Sequence, residues 1–254
     1  MLLFSGKRRK RMSDFERAAE LIKSAKKIAV LTGAGISAES GVPTFRGRGG
    51  LWQKYRAEEL ATPEAFQKDP VLVWKFYDYR RRLISKVEPN KAHRILAEWE
   101  NSLGNIEIVT QNIDGLHQRA GSKKVVELHG NIWQAICLKE NRVFKFKENP
   151  IKEFPPKCSE CGGLIRPDVV WFGEALDPLI LEKAFNLFES ADVAIVIGTS
   201  SIVYPAAYLP QITKKNGGST IEINIEETAL TPLADFFFKG KASDILSQIN
   251  NYLS

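Results

Sequence analysis

Three groups of residues in this chain could do chemistry. Gly33-Ala34-Gly35 follows the apolar run Ile28-Ala29-Val30-Leu31. Glycine leaves no Cβ in the way and takes positive φ, so a strand ending like this can bring backbone against a phosphate. Ala38 sits where a third small residue would pack the next helix on the strand. On its own the pattern reads better as an ordinary strand-to-helix turn, and the rest of the chain has to decide. The second group is Cys137, Cys158 and Cys161, too few for a disulfide framework. Cys158-Ser159-Glu160-Cys161 has the spacing of metal ligands or a redox pair, which suits a reducing, intracellular compartment and points to the cytoplasm. The third is His93, His117 and His129, since imidazole is both neutral and basic near pH 7.

These residues need a scaffold. Besides 28 to 32, the runs Ile106-Glu107-Ile108-Val109-Thr110, Val193-Ala194-Ile195-Val196-Ile197 and Thr220-Ile221-Glu222-Ile223-Asn224 read as buried parallel strands. Helical patterns alternate with them at 15 to 27, 91 to 101, 179 to 190, 205 to 215 and 242 to 253. Such alternation predicts an α/β fold with a parallel sheet covered on both faces. Polar or glycine-rich clusters follow the carboxyl ends of four strands: Gly33-Ala34-Gly35, Gln111-Asn112-Ile113-Asp114, Gly198-Thr199-Ser200 and Asn224-Ile225-Glu226. Ligands bind at that edge in open α/β sheets, so the four would line one crevice. Two segments interrupt the alternation. Residues 47 to 86 are helical and aromatic-rich, and 132 to 168 hold every cysteine. Together they read as a smaller inserted domain.

At 254 residues, with 44% hydrophobic and 26% charged side chains, the chain has a globular protein's composition. No apolar run is long enough to span a bilayer, so no membrane partner is expected. Five of the net +6 charges lie in Lys7-Arg8-Arg9-Lys10-Arg11, which leaves +1 for the rest. Residues 1 to 12 read as a basic, disordered tail, with nucleic acid or anionic surfaces as the alternative partners. Their charges follow the apolar residues, the reverse of a secretory signal. Ser13 or Asp14 is placed to cap the first helix.

The motifs GAGISAESGVPTFR at 33–46, TQNIDGLHQRAGS at 110–122, ELHG at 127–130, CGGLIRPDVVWFGE at 161–174, GTSSIVYPAA at 198–207 and EIN at 222–224 occur in one order. In these the chain resembles the sirtuins, NAD-dependent protein lysine deacylases, over about residues 15 to 245. The resemblance implies a Rossmann-like large domain (13–46, 87–131 and 169–254). It also implies an inserted small domain with a helical module (47–86) and a zinc-ribbon-like module (132–168). NAD and an acylated lysine would lie between them. Gly33, Ala34, Gly35, Ser37, Glu39, Thr44, Phe45, Arg46 and Trp52 would face NAD, with Arg46 near the phosphates or the nicotinamide ribose. Asn112 and Asp114 would sit at the nicotinamide pocket, with Gln111 and Ile113 also facing the cofactor. Gly198, Thr199, Ser200, Asn224, Ile225, Glu226 and Ala242 would complete the cofactor site.

The resemblance makes His129 the catalytic base, with Asn112 beside it. In the family's reaction the acyl oxygen attacks the nicotinamide ribose and nicotinamide leaves. The base then helps a ribose hydroxyl take the acyl group, giving O-acyl-ADP-ribose and free lysine. His117 is read as structural or indirect and His93 as a helix-face residue. Val170, Phe172, Gly173 and Glu174 match the strand that pairs with substrate backbone.

Tyr77 and Arg80 match the Tyr-x-x-Arg pair of the sirtuin class that prefers succinyl, malonyl and glutaryl lysine, and Ala61 matches the small residue widening its pocket. Three apart, Tyr77 and Arg80 share a helix face, and guanidinium with phenol can hold a carboxylate. Succinyl and malonyl removal is therefore expected, with weaker deacetylation. The alternatives are a general deacetylase or a mono-ADP-ribosyltransferase; a non-enzymatic NAD-responsive scaffold fits the intact motifs less well. Sirtuins carry two Cys-x-x-Cys pairs for a structural zinc, and here the first reads Cys137-Leu138-Lys139-Glu140. A Cys137, Glu140, Cys158, Cys161 donor set, a three-cysteine site or loss of the metal all remain open, with Phe144, Phe146, Ile151 and Phe154 as an apolar substitute. Acylated-lysine proteins are the implied substrates, chromatin or nucleic-acid-associated proteins among them, with a monomeric enzyme.

Overall fold

The computed structural model describes residues 12–43 and 57–253. Helix α1 (Asp14–Ser24) opens the large domain with a capping box: the Ser13 hydroxyl accepts from the Glu16 N–H, and the Glu16 carboxylate accepts from the Ser13 N–H. Such a cap contributes about 1 kcal/mol. The helix stops three residues short of the predicted end, because Ala25 turns to extended backbone to feed β1 (Ile28–Thr32).

Six parallel strands form the main sheet: β1, β2 (Ile106–Thr110), β3 (Val125–Glu127), β7 (Val193–Ile197), β8 (Ser219–Asn224) and β9 (Phe236–Lys239). Their order is β3-β2-β1-β7-β8-β9. The chain runs from the centre to one edge, returns to the centre and runs to the other, as in two-halved dinucleotide-binding sheets. Every residue of β1 and β7 is buried, because helices cover both faces. On one face α1, α6 (Lys91–Leu103) and α10 (Ala242–Leu253) pack on Ile28, Val30, Ile106, Ile108, Ile195 and Ile221. On the other, α8 (Pro178–Glu189) and α9 (Leu209–Lys215) pack on Ala29, Leu31, Val109, Ala194 and Val196. The predicted 205 to 215 helix begins as a 3-10 turn at Ala206–Tyr208.

The small domain has its own core. Helices α3 (Ala57–Leu60), α4 (Pro63–Lys68) and α5 (Pro70–Ile84) lie beside an antiparallel sheet ordered β5-β4-β6: β5 (Arg142–Lys145), β4 (Gly130–Cys137) and β6 (Ile165–Val169). Trp74, Tyr77, Phe66, Ile132, Ala135, Ile165 and Trp171 are buried together, with Phe144, Phe146 and Phe154 packed against them. The rest of the fold is α2 (Ala34–Ala38) and α7 (Leu116–Ala120), which follow β1 and β2 at the sheet's carboxyl edge. Among the described residues no helix is long and apolar enough to cross a membrane.

Candidate functional site

The sheet's direction of growth reverses between β1 and β7, and the backbones of the two following loops touch there. The Gly33 N–H donates to the Ile197 carbonyl at 3.0 Å and the Gly35 N–H to the Gly198 carbonyl at 2.8 Å. A Cβ on Gly35 would lie 2.6 Å from Gly198 Cα. Gly198 has φ +61°, and a Cβ on it would lie 2.5 Å from the Ile36 nitrogen. No side chain fits at either position, so bare backbone lines the crevice. That cradle fits the pyrophosphate of a dinucleotide such as NAD. Ala38 does not pack α2 on the strand: it is exposed, and the buried members of that turn are Ile36 and Ser37. Close packing comes from Gly198, 163 residues away in sequence from Gly35.

Behind the cradle lies a buried polar chain. Asn112 Nδ2 donates to the Gly33 carbonyl at 3.0 Å and to Ser37 Oγ at 3.2 Å, and Ser37 Oγ donates to Asp114 Oδ2 at 2.8 Å. The Leu116 N–H donates to the other Asp114 oxygen. Burial pushes the Asp114 carboxyl up, and those two hydrogen bonds and Arg80 oppose the shift. His93 is not on an outer helix face. It is fully buried on α6, with Nδ1 donating to Asn90 Oδ1 at 3.1 Å and Nε2 3.5 Å from Ser37 Oγ. Its ring meets that of His117 at 4.9 Å. Thr32 donates to Thr110, so the partner nitrogen of His117, Nε2, donates to Thr32 Oγ1. Thr110 Oγ1 accepts in turn from the Asn112 N–H. Burial lowers the pKa of His93 to about 4 and that of His117 well below 6.5. Both are neutral at pH 7.

His129 follows β3. Its Nδ1 lies 2.9 Å from the Gln111 carbonyl. A carbonyl only accepts, so Nδ1 carries the proton and Nε2 keeps the lone pair. Burial lowers the His129 pKa, opposed by that carbonyl, which leaves a neutral base at pH 7. Gln111 Nε2 donates to Thr199 Oγ1 at 2.9 Å, tying the β2 loop to the β7 loop. Asn224 Nδ2 donates to the Thr199 carbonyl, which brings the β8 loop to the same edge. Ser200 is half-buried there, while Ile225 and Glu226 are exposed. Glu39 accepts from the Ser243 N–H at 3.0 Å, capping α10 beside the buried Ala242. Ala34 is half-buried next to the cradle, and the Ile113 carbonyl accepts from the Ile132 N–H where β4 begins.

The small domain closes the crevice from the far side. Val170 N–H donates to the His129 carbonyl and Phe172 N–H to the Ala61 carbonyl, both at 2.9 Å. Only Val169 of the segment 169 to 174 belongs to a strand; the rest is extended chain and a turn at Gly173, with Phe172 half-exposed. Both Glu174 oxygens are engaged, by Arg166 at 2.6 and 2.9 Å and by the Trp171 N–H at 2.8 Å. Tyr77 is buried and Arg80 half-buried on α5, close enough to influence each other's ionisation. Their neighbour Arg81 is a structural group that sequence reasoning missed. It is fully buried and donates to the carbonyls of Ile132, Phe146 and Glu148. The signal was its spacing, four after Tyr77 and seven after Trp74, on the buried stripe of α5.

The donor atoms of Cys137, Glu140, Cys158 and Cys161 all lie within 4.8 Å of one another. Tetrahedral zinc with arms of about 2.3 Å holds its ligands about 3.7 Å apart, so these three thiols and one carboxylate fit a structural zinc ion. Backbone N–H groups of Cys161 and Glu160 lower the Cys158 thiol pKa, which favours the ligating thiolate. Thr44, Phe45, Arg46 and Trp52 lie outside the described residues, as does the basic segment 7 to 11.

A Sir2 family model matches residues 33–205. An NAD-dependent protein deacylase of Aquifex aeolicus is 56% identical over 227 residues, 89% of this chain and 95% of that one. An NAD-dependent protein deacylase of Thermococcus kodakarensis is 56% identical over 241 residues, 91% of this chain and 93% of its own. A solved Sir2 homologue–NAD complex superposes with a TM-score of 0.87 at 48% identity, covering 96% of each chain. A Sir2 protein with a deacetylated p53 peptide and 3′-O-acetyl ADP ribose superposes with a TM-score of 0.81 at 34% identity, covering 94% of this chain and 98% of its own.

Proposed function

We propose, for a chain that belongs to the Sir2 family and is an NAD-dependent protein deacylase, that its preferred substrates are lysines carrying succinyl or malonyl groups, with acetyl-lysine a slower one. The observation that carries this preference is the pairing of Tyr77 with Arg80 on one face of α5, at the end of the crevice nearest Asp114. Burial lowers the Arg80 pKa, with Tyr77 and Asp114 opposing, and a guanidinium keeps its proton in proteins, so Arg80 is a cation. Burial raises the Tyr77 pKa to about 12, so its phenol keeps its proton. A cation and a neutral donor side by side suit a carboxylate.

In this reading Gly33, Gly35 and Gly198 admit the pyrophosphate, and Asn224 and Thr199 hold the far end of NAD. Asn112 and Asp114 meet the nicotinamide amide with a donor and an acceptor. NAD held there would supply an electrophilic ribose carbon for the acyl oxygen to bond, with nicotinamide as the leaving group. His129 takes a hydroxyl proton on Nε2, held in orientation by the Gln111 carbonyl. Val170 and Phe172 border the lysine, and Trp171 and Tyr77 keep bulk water from the acyl end.

The test compares matched succinyl-, malonyl- and acetyl-lysine peptides with NAD, in wild type and Arg80→Met. The expected result is faster succinyl or malonyl removal, which falls at least about tenfold in Arg80→Met while deacetylation survives. Dominant deacetylation that ignores the substitution would return Arg80 to a packing role. We further propose a monomer in a reducing, cytoplasmic compartment, supported by three free cysteines that converge on one donor cluster. A disulfide-linked or exported form isolated from cells would contradict the compartment. Chromatin-associated substrates rest only on the basic segment 7 to 11, and unchanged substrate capture after its removal would exclude that role.

A further inference from the structure

The Tyr77 hydroxyl has one proton to give, and its direction decides what the pocket can recognise. Trp171 Nε1 lies 2.9 Å from Tyr77 Oη. An indole N–H can only donate, so the phenol oxygen accepts. A phenol O–H prefers the ring plane, with one position on either side of the C–O axis. The incoming indole N–H occupies the lone pair on one side and turns the Tyr77 proton to the other. Among the described residues that proton has no acceptor. Burial keeps the phenol un-ionised, with a pKa of about 12. Arg80, one turn on, contributes donors only. What the Tyr77 hydroxyl lacks is a group that accepts its proton.

The indole that sets this direction is held on every side. Its main-chain N–H donates to Glu174 Oε2 at 2.8 Å. The same carboxylate holds Arg166 by two bonds, and the Arg166 guanidinium lies 3.5 Å from the centre of the Trp171 ring. Arg166 also donates to the Val169 carbonyl at 2.9 Å, and Phe66 packs on the indole at 5.2 Å. Few alternative rotamers survive that packing, so the N–H is a fixed donor.

We propose that Trp171 is a specificity-determining positioning residue: by donating to Tyr77 Oη it commits the Tyr77 proton to a carboxylate at the end of the acyl chain. The proposal rests on the acidic-acyl reading above. Without the indole N–H the phenol is free to rotate and to accept from water, so its proton is no longer held toward the acyl end. The discrimination between succinyl and acetyl then narrows even though Arg80 is intact.

The experiment measures kcat and KM for succinyl- and acetyl-lysine peptides of one sequence, with saturating NAD. The proteins are wild type, Trp171→Phe, Tyr77→Phe, the double variant and Arg80→Met. A further protein carries benzothienylalanine at position 171, which keeps the indole's shape without its N–H and serves if Trp171→Phe fails to fold. The expected result is a fall of about tenfold in the succinyl-to-acetyl ratio of kcat/KM, carried mainly by the succinyl KM. The same loss appears in Tyr77→Phe, and the double variant adds nothing to it. A ratio that collapses in Arg80→Met but is unchanged by loss of the indole N–H would overturn the role of Trp171 and keep the acidic-acyl reading. Additive losses in the double variant would also overturn it. A wild type without succinyl preference, or a ratio indifferent to Arg80→Met, would remove the acidic-acyl reading and this proposal with it.

Discussion

The crevice has two walls built on different physical principles. The wall on the main sheet is made by backbone approaching backbone at Gly33, Gly35 and Gly198, with a buried polar chain behind it that runs from Asn112 through Ser37 to the Asp114 carboxyl. Its buried histidines carry no charge at pH 7. The wall on the small domain is made by large side chains crossing between distant segments, and it keeps charges inside. Arg81 reaches three carbonyls, Trp74 donates to the Ile165 carbonyl, and Asp78 accepts from the Ile151 N–H. The first wall is sensitive to the addition of a single methyl group, the second to the loss of a single side-chain donor. A nucleotide needs close approach to backbone, whereas an acyl group needs a shaped and charged pocket.

The largest expected effect is in the small domain. Arg81→Met strands one buried and two part-buried carbonyls and is expected to cost about 3 kcal/mol, lowering protection of 132–171 in hydrogen exchange before that of the main sheet. Uniform loss across both regions would merge the two walls into one cooperative unit. Next, Gly35→Ala forces a Cβ against Gly198. It is expected to cost about 3 kcal/mol and to abolish NAD binding measured by calorimetry, while the small-domain core keeps its native near-ultraviolet signature. Retained NAD affinity would show that the loops part easily.

The pH response separates the walls further. His93 and His117 are depressed below their unfolded pKa of about 6.5, so the unfolded chain binds more protons between that value and about 4. The histidine contribution is complete above pH 6.5 and is lost as pH falls, by about 1.4 kcal/mol per pH unit for each ring. Urea melts from pH 7 to 4.5 should show that slope, and His93→Gln should reduce it. Activity is expected to fall on the acid side through a pKa below 6.5, because His129 acts neutral and burial lowers it. The smallest effect expected is at the metal cluster. Glu140→Gln should loosen zinc about tenfold in a chelator competition, lowering the melting temperature without changing NAD affinity. Zinc release at an unchanged rate would remove Glu140 from the donor set.

Much of the main-sheet wall was legible in the sequence because its information is local. Apolar runs such as Val193-Ala194-Ile195-Val196-Ile197 mark strands buried on both faces, and the glycine and polar clusters stand at their carboxyl ends. The errors there concern partners. Ala38 has the right size but the wrong side of a short turn, and His93 lies on a buried face although its neighbour Arg94 is exposed. The Cys-x-x-Cys spacing also showed where the thiols meet, since two knuckles of chain need little else to converge.

What the sequence determined by itself was the alternation of elements, and with it which residues arrive at the carboxyl edge of the sheet. Side-chain period and backbone freedom are properties of neighbouring residues, and they survive in any window of the chain. Only the tertiary structure decided which of three consecutive arginines is structural. Arg81 enters the core, Arg82 stays exposed and reaches in to the buried Asp78, and Arg80 lies half-buried beside Tyr77. It also decided that the Tyr77 oxygen receives the Trp171 N–H from 94 residues away. Hydrogen-bond direction depends on which donors and acceptors the fold brings within 3 Å, and a sequence window does not contain the other half of the pair.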